Sequence, residues 1–347
     1  MSTSPAHTRS KAGFTLVELL VSMAVLTLLL VVMLSMLNVT SSMWTRTRGK
    51  IEQFRDARDA FEAMTRRISQ ATLNTYWDYL DASGSARTPA NSATFTPARY
   101  ARQSELRFIS GPAAGLMSTL GPTHAIFFQA PLGVVADEAG VYGGLQYLLN
   151  TWGFYIEYAD DTALRPPFVT TPPRTRFRLM ELTQPSEAMT LYSYTSGAPS
   201  YAGKGWFTDA WNATPPPVHV LAENVIALVL LPKLTPKEDP TGITLSPNYG
   251  YDSTAINPDA KINPKNQLPP VVQMTMVAID EVSANRMTAA DNTDLQTKLS
   301  SLFRDASQYD SDLKTLEAYL IGKKINYLIS TTNISIKGAK WSRAQTN

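Results

Sequence analysis

The chain has 347 residues, 44% of them apolar and 17% charged, a balance that buries a core and excludes a disordered polypeptide. With 31 basic and 29 acidic residues the net charge is +2, so composition gives no case for nucleic-acid binding. The absence of cysteine excludes disulfides and thiolate metal sites.

Residues 1–13 are polar, contain Pro5, Arg9 and Lys11, and read as a leader without structure of its own. From Phe14 to Leu37 there are 24 residues, 19 apolar, the others being Thr15, Glu18, Ser22, Thr27 and Ser35. As a helix this run is about 36 Å long, enough to span a ~30 Å hydrocarbon core. Glu18 is the oddity, because a carboxylate inside an apolar span costs roughly 2.5–3.5 kcal/mol on insertion scales. A secretory signal peptide is one alternative, but its core is usually ~7–15 residues, and no small-x-small cleavage site follows this run. A plain anchor with Glu18 at the interface is a second. A capping box, with Thr15 as cap and Glu18 reaching back, is a third.

The string Gly13-Phe14-Thr15-Leu16-Val17-Glu18-Leu19-Leu20 behind a polar leader with Arg9 and Lys11 resembles the processing motif of type IV prepilins and type II secretion pseudopilins. The resemblance implies cleavage after Gly13 by prepilin peptidase and N-methylation of the new terminus, Phe14. It also implies that Glu18 pairs with the terminal amine of a neighbouring subunit during filament assembly. Lys and Arg counts alone do not orient the span, since Arg46, Arg48 and Lys50 on the far side outnumber Arg9 and Lys11. A cytoplasmic leader and a periplasmic head at the bacterial inner membrane follow from the resemblance.

Beyond the span, Ile51, Phe54, Ala57, Phe61, Met64, Ile68 and Ala71 recur in steps of three and four, predicting an amphipathic continuation of the helix to about Leu73. The opposite face pairs Arg55 with Asp59 and Glu62 with Arg66. Unbroken, the helix would run roughly 90 Å, with Gly49 a weak point. The apolar stripe reads as core packing within the chain, with a partner helix as the alternative.

From Asn74 the character changes, and 81–104 reads as loop. Strands are predicted at 106–109, 124–129, 152–158 and 176–182, with 189–194 pairing with the last of these. The stretch 218–231 contains an apolar run, Val225 to Leu231, that reads as a central strand. Residues 232–270, rich in Pro and Asn, form too long a connection to be ordinary, and read as a functional or floppy loop. A strand at 271–280, helices over 293–322 interrupted near 305–310, and a strand at 326–336 complete the chain. The fold class is α+β and pilin-like: a long N-terminal helix, transmembrane then amphipathic, carrying a mostly antiparallel sheet. The domains are a leader (1–13), a transmembrane helix (14–37), its amphipathic continuation (38–73) and an exported head (74–347).

The Arg- and Asp-rich segment Arg55-Asp56-Ala57-Arg58-Asp59-Ala60-Phe61 before a β-rich head is similar to the J-type minor pseudopilins. The segments 124–133, 222–233 and 271–287 are similar to the Verru_Chthon cassette protein C family, itself a set of prepilin-motif proteins.

No catalytic constellation is visible. His7, His124 and His219 lie far apart, outside any metal-ligand spacing, and His124 and His219 read as packing residues beside strands. Phosphate-loop and nucleophile-elbow motifs are missing. The acids Asp305, Asp310 and Asp312, and the set Asp291, Asn292 and Asp294, match no EF-hand loop and read as solvated turns. Fourteen aromatic residues fall between Tyr142 and Trp211, as sheet packing or, less simply, a binding face. The expectation is a non-enzymatic minor pilin- or pseudopilin-like subunit without metal or cofactor. Its partners would be prepilin peptidase, other pilin-like subunits and membrane lipid, with no nucleic acid. The alternative is a membrane-anchored exported module for adhesion or sensing.

Overall fold

A computed structural model of the protein describes residues 16–343 apart from 163, 164, 167, 196 and 197, with backbone alone at 38–53, 194, 195, 198 and 199. The chain divides into two compact units, Met1–Glu52 and Gln53–Asn347. Helix α1 (Leu16–Ile68) contributes to both. It stops short of the expected Leu73. Its end tightens through Gln70 N–H to Arg67 O and Ala71 N–H to Ile68 O, both 3.0 Å, which satisfies carbonyls left over at a helix C-terminus. Arg66 and Arg67 in the last turn complement the helix dipole.

Within the second unit the predicted stripe is the buried one: Ala57, Ala60, Met64, Ile68 and Ala71 are in the core, and Phe54 and Phe61 pack at its margin. Fully burying Met64 and Ile68 contributes about 1.5–3 kcal/mol each. Arg55 and Asp59 meet at 3.8 Å on the exposed face, a pair worth well under ~1 kcal/mol.

The rest of this unit is built from thirteen strands and five further helices in the described residues. They are β1 (Tyr76–Leu80), β2 (Arg99–Gln103), β3 (Phe108–Pro112), α2 (Ala113–Leu116), β4 (His124–Pro131), β5 (Leu149–Ala159) and β6 (Arg176–Gln184), then β7 (Tyr194–Thr195), β8 (Ala198–Pro199), α3 (Gly205–Trp211), β9 (Val218–Glu223), β10 (Val225–Lys233), β11 (Tyr251–Asp252), β12 (Val271–Ile279), α4 (Glu281–Arg286), α5 (Ala289–Ser301), α6 (Tyr309–Gly322) and β13 (Tyr327–Ser335). A six-stranded sheet has the order β11-β3-β4-β5-β6-β9, and a three-stranded sheet the order β10-β12-β13. Every pairing in both is antiparallel.

Both faces of the six-stranded sheet are covered. Phe108, Ile126, Phe128, Phe154, Ile156 and Leu179 share one core with β10, β12 and the α1 stripe. Ile109, Ala125, Phe127, Tyr155, Met180 and Leu182 form a second core with Trp206 and Phe207 of α3. Two-sided burial explains why β4 reads as an apolar run instead of an alternation. In β6 even Arg178 is buried. Its guanidinium donates to the carbonyls of Ala159 (2.8 Å) and Arg174 (3.1 Å).

Four sequence expectations are corrected. Residues 189–194 do not pair with β6. Ser193 N–H turns back to Thr190 O at 2.9 Å, and β6 is flanked by β5 and β9. The 218–231 stretch is two strands, because Asn224 at φ 60° passes the chain from one sheet to the other. Its second half, β10, is not central but an end strand of the small sheet. The loop expected over 81–104 includes β2, which pairs with β1 in a hairpin. Residues 232–270 are ordered by buried Leu234, Leu245, Tyr249, Tyr251 and Leu268 and by side-chain-capped turns. In one such turn Asp239 accepts from Thr241 N–H (3.1 Å) and Thr244 N–H (2.9 Å) and from both hydroxyls. Burial works to raise its pKa, but these donors outweigh it and hold the carboxyl at about 2.

Candidate functional site

Gly13 and Phe14 lie outside the described residues, as does Thr15. Glu18 lies on α1 and is solvent-exposed. Every residue of Leu16–Leu37 is solvent-exposed, on all sides of the helix. A helix apolar all round has no aqueous face, and 22 residues span about 33 Å. Two of its hydroxyls turn onto the helix itself: Ser22 Oγ–H donates to Leu19 O at 2.9 Å, and Thr27 Oγ1–H donates to Met23 O. Back-bonding of this kind removes the cost of a bare donor in an apolar medium.

The head holds the other candidates. His124 is buried, and its ring joins three elements. Leu230 N–H of β10 donates to Nδ1 at 3.0 Å, which places the ring proton on Nε2, where it donates to Phe303 O at 3.0 Å. Alongside, Leu228 N–H donates to Thr123 Oγ1 at 3.2 Å. The outward amides of an end strand are thus covered by side chains, one way to prevent edge pairing. Burial lowers the His124 pKa to about 4, against the two backbone hydrogen bonds, with Arg304 adding to the lowering. His124 is therefore a structural clasp, as a packing residue should be. His219 is exposed on β9, contrary to expectation, and His7 lies outside the described residues.

The acidic sets are taken up by helix caps, turn amides and neighbouring side chains. Asp291 closes a capping box with Thr288 and pairs with Lys323 at 2.7 Å. Asp294 accepts from Tyr319 Oη–H, Asp305 from Ser307 N–H and Asp312 from Phe303 N–H at 2.7 Å. Among the described residues no group of three or more His, Asp or Glu is arranged to hold a metal ion. Arg67, at the end of α1, reaches Glu181 of β6 and stacks over Trp152 at 4.4 Å. Burial raises the Glu181 pKa, and Arg67 works against that rise.

Of the fourteen aromatic residues in 142–211, Trp152, Phe154, Tyr155, Phe177, Trp206 and Phe207 are buried and Tyr158, Tyr201 and Trp211 pack at the core margins, whereas Tyr142, Tyr147, Phe168 and Tyr192 are exposed. Sequence reasoning missed a different cluster. In the β1–β2 hairpin, Trp77 pairs with Arg102 and Tyr79 with Tyr100. Alternation puts these four on one face. Trp77, Tyr79 and Tyr100 are 55%, 43% and 50% exposed. The signal that could have found it is the alternation in Tyr76-Trp77-Asp78-Tyr79-Leu80, masked by the turn-rich residues that follow.

Residues 8–34 match the family model described as the prokaryotic N-terminal methylation motif. No curated protein and no solved structure matches the chain. The matched segment takes in most of the apolar helix Leu16–Leu37, the combination found in prepilin-type proteins. It supports a type IV pilin- or pseudopilin-like precursor, of a class whose members are structural subunits, with a membrane-anchoring N-terminal helix.

Proposed function

We propose that this protein is a minor pilin- or pseudopilin-like subunit of a type IV pilus-like or type II secretion filament. The observation that carries the reading is the methylation motif at residues 8–34, continued by a helix apolar on every side. In this reading prepilin peptidase removes residues 1–13, Phe14 becomes the methylated terminus, and residues 14–37 remain as a single membrane span. Residues 38–73 continue the helix and 74–347 form the head on the periplasmic side of the bacterial inner membrane. Glu18 pairs with the Phe14 amine of a neighbouring subunit, so a charge that is costly in lipid meets its opposite there. A head of this bulk packs poorly along a long shaft, which favours a place near the tip.

The test is the intact mass of the protein from cells that contain prepilin peptidase. The mature chain is expected to lack residues 1–13 and to carry one added methyl group, and a Gly13→Leu chain should keep its leader. Glu18→Ala should insert in the membrane normally yet fail to enter filaments. A native protein that still begins at Met1 would refute the filament reading and leave a membrane-anchored binding module.

A further inference from the structure

The outward face of the β1–β2 hairpin has the makings of a binding site that the filament reading does not use. Tyr79 and Tyr100 are in ring contact at 4.1 Å. The next cross-strand pair is Trp77 and Arg102, with the guanidinium 5.9 Å from the indole ring centre. Two residues along a strand is about 7 Å, so the rings form a short ladder. At the Trp77 end the ladder runs into a cleft of about 380 Å³ whose walls include Trp77, Arg102, Gln267 and Lys340, within the size range of small-ligand sites.

The charge of this cleft is one-sided. Arg102 is half-buried, and burial alone lowers its pKa; no carboxylate raises it. Its guanidinium donates to the neutral Gln267 Oε1 at 3.1 Å. Among the described residues lining the cleft none is acidic, and Lys340 adds a second cation. A guanidinium held in place without a carboxylate, partly out of water, is arranged to receive an anionic oxygen. The adjacent amides are not available for reading a peptide backbone. Asn266 Nδ2 donates to Arg102 O at 2.6 Å, and Gln267 is tied to Asn263 O (2.9 Å) and to Ser342 N–H (2.7 Å). What the face offers is a row of ring faces with cations at one end. The negative face of an aromatic ring attracts the weakly positive C–H groups of a sugar ring.

We propose that this face and its cleft bind an acidic polysaccharide, with pyranose rings on Trp77, Tyr79 and Tyr100 and a uronate carboxylate on Arg102 and Lys340. The site does not depend on how the N-terminus is processed. The experiment is calorimetric titration of the full chain in detergent with oligogalacturonate and oligomannuronate. The methyl ester of the galacturonate oligomer and poly-L-glutamate serve as comparisons. At least one acidic oligosaccharide should bind, with the methyl ester and poly-L-glutamate about tenfold weaker or worse. Trp77→Ala, and separately Arg102→Gln, should each weaken binding about tenfold. Lys340→Gln should weaken it less, and the exposed substitutions Trp77→Ala and Lys340→Gln should leave the melting temperature unchanged. The proposal is overturned if neither acidic oligosaccharide binds at millimolar concentration. It is equally overturned if poly-L-glutamate binds as well as they do, which would mark a site for acidic peptides. Binding that Trp77→Ala leaves unchanged would place the sugar elsewhere and also overturn it.

Discussion

At the scale of single residues, Glu18 stands exposed in an apolar sequence run, whereas His124 is an ionisable group buried in the core of the head. Glu18 is conspicuous in the sequence, as one carboxylate among 19 apolar residues, and its assembly role is a proposal that rests on its spacing from Gly13. A packing role for His124 was legible from its place beside a strand, but its partners were not, because Leu230 and Phe303 lie more than 100 positions away. Its burial has a measurable signature. The native ring holds its proton only below about pH 4, whereas an unfolded histidine titrates near ~6.5. This contribution to stability is complete above pH 6.5 and is lost as the pH falls towards 4, where the unfolded chain takes up a proton the native ring refuses. The loss amounts to roughly 3 kcal/mol. Urea unfolding at pH 7.5 and 4.5 should show a smaller acid loss for His124→Asn than for the parent, the carboxylates being common to both. Equal losses would mean that His124 does not titrate in this window.

At the scale of elements, what the sequence shows well is apolar content, and what it shows poorly is which strand sits beside which. β4, β5, β6, β10 and β12 were all placed close to their observed positions, because β4 and β10 contain apolar runs and the other three carry large apolar residues at alternate positions. The 218–231 run gave no hint of its division, since neither Gly nor Pro interrupts it. Asn224 takes the left-handed conformation there, a role asparagine fills more readily than most side chains. Residues 232–270 resisted reading because local side-chain acceptors organise them. Asp252, Asn257, Asp259 and Asn263 each accept an amide two residues on, at 2.8–3.2 Å, a pattern with no periodicity. Within β5, Gly153 is the narrow point. A Cβ there would lie 2.3 Å from Phe127 Cδ1, and Phe127 is itself stacked on Phe207 at 4.2 Å. Gly153→Ala should therefore destabilise the head by about 1–3 kcal/mol through overpacking, read as a lower urea midpoint. An unchanged midpoint would show that the two rings can shift at no cost.

At the scale of the whole molecule, the division into compact units falls between Glu52 and Gln53, inside a single helix and without a change in secondary structure. The stripe that predicted helix also predicted burial, so residues 53–68 were legible as part of a core, but the point where one unit ends carries no sequence mark. A chain of 53–347 should be water-soluble and unfold in one cooperative step. A chain of 74–347 lacks Met64, Ile68 and the Arg67 partner of Glu181, and should lose about 3–6 kcal/mol from the two large side chains alone or fail to fold. If both fragments melt at the same temperature, the helical segment is dispensable to the head. The first unit has a different mechanical character. Because the hydroxyl protons of Ser22 and Thr27 are turned onto their own helix, those two positions offer a neighbouring helix no directional donor. Bundled copies of such a helix would grip by shape alone and could slide past one another by a helical turn, about 5.4 Å, with little chemical resistance. Glu18 would then be the single charged index mark on an otherwise uncharged rod, setting the register of a stack that can stretch elsewhere.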